Sequence, residues 1–235
     1  VLVCIVERGN EVRIPSGEFV LENGDMISVV ASPLNASRFF RTIGIETNQV
    51  RNTMIIGGGK ISFYLAKRLL EMGIQVKIVE KDRAACERLC EQLPKAMIIN
   101  GDGTDRDLLA EEGLASAEGF AALTNMDEEN VMLSLYAKSM SKAKKITKVN
   151  RNTFDTIIGS LGIGSLIYPK HITSETILQY VRAMQNSIGS NVETLYRLVD
   201  GNAEALEFII RGESEVTDIP LQELDIKANT LVCAI

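Results

Sequence analysis

Short apolar runs alternate with amphipathic stretches through the middle of the chain, from Thr53 to Val149. Met54-Ile55-Ile56, Val76 to Val79, Ala96 to Ile99, Phe120 to Leu123 and Ile146 to Val149 are short runs dominated by apolar residues, and each predicts a strand. After the first of them, Ile61, Leu65, Leu69 and Met72 fall on one helical stripe, with Lys60, Lys67, Arg68 and Glu71 elsewhere. Gly73 then supplies the residue type that closes helices. Further helices are predicted over Arg83 to Leu93, stopped at Pro94, over Leu108 to Glu112, and over Glu129 to Lys138. Strands alternating with helices imply a parallel sheet covered on both faces. The expected class is α/β: a Rossmann-type doubly wound parallel sheet flanked by partial small α+β modules.

The flanks follow another rhythm. Val1 to Val6 is an apolar run, Val12 and Ile14 alternate with charged residues, and Met26 to Ala31 reads as a strand. Gly9-Asn10, Pro15-Ser16-Gly17 and Asn23-Gly24-Asp25 are turn signals between them. Pro33 starts a short helix through Phe39 and Phe40. A long helix is expected from about Thr173 to Ile188, and β character returns over Val192 to Val199 and Ala205 to Ile210. The two ends repeat each other: Thr230-Leu231-Val232-Cys233-Ala234-Ile235 resembles Val1-Leu2-Val3-Cys4-Ile5-Val6. That repeat suggests a piece of a longer protein built from tandem modules, beginning partway through one small β-rich module and stopping partway through the next.

Composition changes this picture mainly by exclusion. The formal net charge is -6, with no long basic run, which argues against a nucleic-acid partner. No stretch approaches the ~18 consecutive apolar residues of a membrane span, and the start lacks the pattern of a signal peptide. Cys86 and Cys90 lie one helical turn apart, but a metal site would need further ligands and the chain has one histidine. Cys4, Cys86, Cys90 and Cys233 are therefore read as reduced, mostly buried thiols, in keeping with a cytosolic chain. His171, the single histidine, is read as a surface or helix-start residue.

The candidate chemistry sits where the first central strand meets its helix. Gly57-Gly58-Gly59-Lys60-Ile61-Ser62 fits G-x-G-x-x-G with serine last. Gly57 allows a tight turn, and Gly59 lets the backbone approach a pyrophosphate. The helix that follows offers free N–H groups and the positive end of its dipole. Ser62 is small enough for helix–strand packing. The competing reading is a tight strand–helix turn with no ligand. Glu80 closes the second strand about twenty residues on, where an acid bonds the ribose hydroxyls and repels a 2′-phosphate; alternatively it is a solvated strand end beside Lys81 and Asp82. Polar residues also follow later strands: Asn100-Gly101-Asp102-Gly103-Thr104, then Thr124-Asn125, then Lys148 and Asn150. Ligands of open α/β sheets bind at such strand ends. Thr104 and Asp105, and likewise Asp127 and Asn130, could instead cap the helices that follow.

Several of these segments carry a family likeness. Ile98-Ile99-Asn100-Gly101-Asp102-Gly103-Thr104, Leu108-Leu109, Glu112-Gly113-Leu114, Ala121-Ala122-Leu123-Thr124, Asp127-Glu128-Glu129-Asn130 and Thr147-Lys148-Val149-Asn150 occur in that order. Together they resemble the RCK or KTN domains that regulate potassium channels and TrkA-type transporters. Glu7-Arg8-Gly9 through Pro15, Gly24-Asp25 and Ser32-Pro33 resemble the second half of that family's small C-terminal module. Ala205 to Ile235, with Pro220-Leu221 and Leu224, resembles the first half of the next copy.

The resemblance implies a division of the chain. Residues 1–33 and 191–235 would be the two partial C-terminal modules, 34–51 a linker helix, 52–169 the Rossmann domain, and 170–190 a crossover and dimerisation helix. It also implies NAD(H) or ADP/ATP as ligand, assembly into a dimer and a ring, and a place at the inner face of the cell membrane. The partner implied is an integral membrane potassium transporter or channel subunit. Gly57, Gly59 and Glu80 would hold phosphate and ribose, Asp102 and Thr124 would line the pocket, Lys148 would stand near the phosphates, and Gly58, Lys60, Ile61, Lys81, Gly103 and Asn125 would complete the cofactor-binding set. The family often carries arginine at the position of Lys148; lysine keeps the charge without the planar fork.

Two functional classes follow from the same fold. One is a nucleotide-gated regulatory subunit and the other an NAD-dependent oxidoreductase. Hydride transfer needs a proton donor, yet no Tyr-x-x-x-Lys occurs: Arg68, Met140, Ile172, Met184 and Asp200 stand where the lysine would be. With His171 the single histidine and no large substrate domain after the sheet, the regulator is the reading preferred, and no catalytic residue is expected.

Overall fold

In a computed structural model of the chain, the residues described are 1–9, 11–45, 49–151, 155–186, 192–199, 202–210, 212, 217–224 and 229–235. Asn10 and the expected helix end at Ile188 lie outside them. The chain divides into two compact units, one of Gln49–Ser174 and one of Val1–Asn48 with Glu175–Ile235.

The first unit is a six-stranded sheet. Its strands are β4 (Asn52–Ile56), β5 (Gln75–Glu80), β6 (Met97–Asn100), β7 (Gly119–Ala122), β8 (Lys144–Lys148) and β9 (Ser165–Ile167). They lie in the order β6-β5-β4-β7-β8-β9, and every pairing is parallel. Counted from β4 this is the doubly wound order in which the chain reverses direction between its first and fourth strands. Alternate residues of the strands supply separate cores. Met54, Ile56, Val79, Phe120 and Ala122 pack with Leu109, Leu133 and Ala137 from α4 (Arg106–Glu111) and α5 (Asp127–Met140). Ile55, Val76, Ile78 and Ala121 pack with Ala66 and Leu89 from α2 (Lys60–Glu71) and α3 (Arg83–Gln92). The continuous apolar runs are explained by this, since a strand covered on both faces has no polar side.

The sequence misplaced the buried face of α2. Ser62 and Ala66 are fully buried, whereas Ile61 and Met72 are 43% and 69% exposed. Small residues at 62 and 66 let the helix lie close on the sheet, so the contact line runs through them and through Leu65, Leu69 and Leu70 rather than through the largest side chains. β9 and the short helix α6 (Asp155–Ser160) have no counterpart in the sequence reading. α7 starts at Pro169, earlier than expected, and runs to Asn186. Cys4 and Cys86 are buried, but Cys90 is exposed and Cys233 half-buried; all four are free thiols. The expectation of mostly buried thiols therefore holds for two.

In the second unit β1 (Leu2–Arg8) lies between β2 (Glu11–Arg13) and β3 (Met26–Val30), antiparallel to both. Arg8 anchors the connecting loop. Its Nε and Nη2 donate to the two oxygens of Asp25 at 2.8 and 2.7 Å, its Nη1 to Glu22 at 2.5 Å, and its guanidinium stacks 5.3 Å from the Phe19 ring centre. The Arg8 hydrogen bond holds the Asp25 carboxyl at about 2. α1 (Pro33–Thr42) is capped by Ser32, whose Oγ accepts the Asn35 N–H. β10 (Val192–Leu198) and β11 (Ala203–Phe208) form an antiparallel pair.

Candidate functional site

Strand order decides which residues can meet. All six strands are parallel, so the segments following β4, β5, β6, β7 and β8 emerge on one edge of the sheet. The polar residues singled out from the sequence stand on that edge: Gly57 to Ile61, Glu80-Lys81, Asp102-Gly103, Thr124-Asn125 and Lys148. Between β4 and β7 the connections diverge to opposite faces, the switch point at which open sheets of this order have their ligand crevice.

The glycine turn is shaped by that crevice. Gly57 has φ +96°, and a Cβ there would stand 3.1 Å from the Leu123 carbonyl oxygen and the Thr124 nitrogen. Only glycine combines the left-handed backbone with so close an approach to the end of β7. Gly58 is as constrained for another reason: a Cβ would come within 2.8 Å of Leu89 Cδ1 and 2.9 Å of Glu80 Cγ. Beside Gly59 there is nothing within 4 Å. Gly59 is the N-cap of α2, and no side chain caps this helix. The first helical bond runs from the Phe63 N–H to the Gly59 carbonyl at 3.0 Å, so the N–H groups of Lys60, Ile61 and Ser62 precede the helical ladder. Ser62 Oγ is buried with no hydrogen-bond partner among the described residues.

Glu80 closes the side toward β5. Its Oε2 accepts the Gly58 N–H at 2.5 Å and its Oε1 the Asp82 N–H at 2.7 Å. The carboxylate thus holds the glycine turn while each oxygen keeps lone-pair capacity. Behind it, Asn100 donates to the carbonyls of Glu80 and Lys81, both at 3.1 Å, and the Cys86 thiol donates to the Glu80 carbonyl at 3.2 Å. Burial pushes the Cys86 thiol up, against the Asn100 amide, which lowers it. Asp102 Oδ1 accepts the backbone N–H and hydroxyl of Thr104 at 2.9 and 2.8 Å; these bonds, with Lys81 nearby, hold its carboxyl low. Gly103 is buried, and a Cβ would stand 2.2 Å from Ile56 Cγ2, so its visible role is packing.

On the other side stands Lys148, 6% exposed. Its ammonium reaches Asn125 Oδ1 at 3.5 Å. Burial lowers its pKa, opposed by the Asp127 carboxylate. A buried ammonium whose one hydrogen bond among the described residues is long and to a neutral group is a poorly solvated cation. An anion entering the crevice would meet it.

The sequence reading missed how this side is built. Asp105 does cap α4, accepting from Asp107 and Leu108. Thr104 instead bonds Asp102. The cap of α5 is Met126, without a side-chain bond. Asn130 is fully buried, donates to the carbonyls of Thr124 at 3.1 Å and Lys148 at 3.0 Å, and accepts the Thr124 N–H at 2.9 Å. Asp127 turns to the end of β8, as described below. An asparagine and an aspartate one turn apart at a helix start look like caps, and no local signal distinguishes the two roles. His171 lies exposed in the first turn of α7, its ring 5.8 Å from that of Tyr168. Among the described residues no group of three histidines, cysteines or carboxylates is placed to hold a metal.

The strand order and the helices on both faces define a doubly wound architecture of the Rossmann type. Residues 53–169 match the TrkA-N domain, and over that span the chain belongs to the TrkA-N family. The chain is 32% identical over 240 residues to the Trk system potassium uptake protein TrkA of Halomonas elongata, covering 99% of this chain and 50% of that protein. It spans about half the length of the curated relatives it matches. Among solved structures, the GsuK channel superposes on 84% of this chain and 35% of its own with TM-score 0.57 at 17% identity. The NAD(P)-binding domain of an exopolyphosphatase-related protein from Archaeoglobus fulgidus superposes on 58% of this chain and all (100%) of its own, with TM-score 0.50 at 17% identity. No helix among the described residues is long and apolar enough to cross a membrane.

Proposed function

We propose that this chain is the nucleotide-sensing part of a regulator of potassium uptake, and that NAD(H) or ADP/ATP binds over Gly57-Gly58-Gly59. The observation that carries the reading is the uncapped start of α2, flanked by the Glu80 carboxylate and the buried Lys148 ammonium on one edge of the sheet. The N–H groups of α2 and the ammonium suit a pyrophosphate, and Glu80 suits ribose hydroxyls while repelling a 2′-phosphate. The A. fulgidus domain of similar fold is an NAD(P)-binding domain, which supports a dinucleotide or its ADP half. The ligand acts as a signal, read by a potassium transporter or channel subunit in the membrane, with this chain at its cytosolic face. Residues 52–169 are the sensing domain in this reading, flanked by parts of small C-terminal modules in 1–33 and 191–235. Self-association into a dimer and a ring runs partly through α7, where Ile172, Ile177, Tyr180 and Val181 stand exposed.

Calorimetric titration with NADH, NAD, NADPH, ADP and ATP tests the site, with Glu80→Ala and Gly59→Asp as controls. Binding of NADH or an adenine nucleotide is expected, with NADPH weaker. In Glu80→Ala the preference against NADPH should shrink. The reading fails if nothing binds, or if Gly59→Asp binds as the parent does. Turnover of a hydroxy acid or aldehyde with NAD(H) would replace it with the oxidoreductase.

A further inference from the structure

The first turn of α5 grips both strand ends that frame the Lys148 side of the site. Asn130 joins Thr124, after β7, to the Lys148 carbonyl, at the end of β8. One turn earlier, Asp127 is 8% exposed and entirely engaged with the chain leaving β8. Its Oδ1 accepts the Asn150 backbone N–H at 2.9 Å and the Asn150 side-chain amide at 2.8 Å. Its Oδ2 accepts the Arg151 backbone N–H at 3.0 Å, with Arg151 Nε at 3.6 Å. Burial alone would raise the Asp127 carboxyl; these N–H donors and the Arg151 charge outweigh it and hold the carboxyl low. Lys148 and Asn150, two residues apart, therefore face the same helical turn, one with a cation and one with donors.

We infer that Asp127 is the residue through which an occupied nucleotide site acts on the chain beyond β8, with Asn130 keeping Thr124 and Lys148 in register while it does so. The inference rests on the nucleotide reading above. Its physical content is a change in the charge beside Asp127. Without ligand, the Lys148 ammonium has one long bond to Asn125 and Asp127 as its nearby counter-charge. A phosphate in the crevice takes over the ammonium and sets negative charge near the Asp127 carboxylate. Asp127 then loses an attraction and gains a repulsion, and its hold on the Asn150 and Arg151 amides changes. The two states differ in the charge that Asp127 feels, the free Lys148 ammonium in one and a phosphate-paired ammonium in the other, which is the differential interaction a ligand needs to shift an equilibrium. Arg151 also pairs with Glu128, a second contact to the same helical turn.

Hydrogen exchange at the Asn150 and Arg151 amides tests this, with and without ADP and NADH. Parent, Asp127→Asn and Asn150→Ala chains are compared, each with its nucleotide affinity measured by calorimetry. In the parent, nucleotide should change exchange at both amides by about fivefold or more, the lower range of allosteric coupling. In Asp127→Asn the nucleotide still binds, within roughly tenfold of the parent, but the response at both amides falls to less than half its logarithm. Asn150→Ala removes one donor and spares the carboxylate, so it should weaken the response without abolishing binding; it decides the matter if Asp127→Asn fails to fold. An undiminished response in the variant that decides, or a parent that binds nucleotide with no change at these amides, overturns the inference alone. A parent that binds neither nucleotide overturns the nucleotide reading and the inference with it.

Discussion

Lys148→Met separates what the buried ammonium costs from what it is kept for. The side chain is 6% exposed and its one hydrogen bond among the described residues, to Asn125, is 3.5 Å long. Methionine has a similar length and no charge to desolvate. Replacing a whole buried ion pair by apolar groups of similar volume is often neutral or stabilising by ~1–4 kcal/mol, whereas removing one partner of a close pair costs ~3–5 kcal/mol. Lys148 makes no close ion pair among the described residues, and Asp127 keeps Arg151 and its N–H donors when lysine is gone, so the lower end of the first case applies, about 1 kcal/mol. Nucleotide affinity should move the other way. A hydrogen bond to a charged group contributes ~1.5–3 kcal/mol, so binding should weaken roughly 10- to 100-fold. Urea unfolding of the free chain and calorimetry with ADP and NADH read the two effects. The pH dependence gives a third sign. Because the folded pKa of Lys148 is lowered below its ordinary 10.5, the unfolded chain binds more protons between the two values. The parent should therefore gain stability relative to the methionine variant as pH rises through that window. A methionine variant that is less stable at neutral pH, or that binds nucleotide as the parent does, refutes the reasoning.

The remaining predictions concern the glycine turn and the second unit. Gly57→Ala forces a left-handed residue against the end of β7, so it should destabilise the chain by about 2–3 kcal/mol, read as a lower urea midpoint; an unchanged midpoint would show that the turn relaxes freely. Gly59→Ala adds a methyl to open space at an extended N-cap, so its midpoint should stay within ~0.5 kcal/mol of the parent while nucleotide binding weakens; equal losses in both would mean that Gly59 is there for the fold. Asp25 should titrate near 2 in carbon-detected NMR and return toward 3.8 in Arg8→Met. Its contribution to stability is present above 3.8 and is lost as pH falls toward 2, so the acid limb of unfolding should move up in that variant.

The sheet was legible because its strands are covered on both faces, and a short apolar run is hard to mistake once helices alternate with it. β9 was not, since Ser165-Leu166-Ile167 is three residues long and its evidence is non-local. It exists as the partner of β8, and Gly164 permits the approach: with φ +89°, a Cβ there would lie 2.3 Å from the Lys145 carbonyl oxygen. α2 shows the same limit from another side. Hydrophobicity marks Ile61 and Met72 as core, but the sheet beneath selects Ser62 and Ala66, because close packing depends on what is small as much as on what is apolar.

The candidate site divides along the same line. Each strand-end residue was visible by itself, because polar residues directly after apolar strands have few other reasons to be there, and parallel strands bring them to one edge. What each is bonded to depends on strand order, which spacing does not contain. Lys144, Lys145 and Lys148 look alike in the sequence, yet Lys148 alone ends in the space beside β7 and is buried, with Asn125 and Asp127 from the next connection as its surroundings. Asp127 and Asn130 likewise read as caps until β8 is placed beside β7, which gives them Asn150, Arg151 and the Lys148 carbonyl to hold. The residues argued to bind a nucleotide are thus local features of five separate turns. The residues argued to make binding consequential exist only through the neighbours that topology supplies. A substitution at Asp127 or Asn130 should accordingly be judged by what happens at the end of β8, and not by the stability of the helix that carries them.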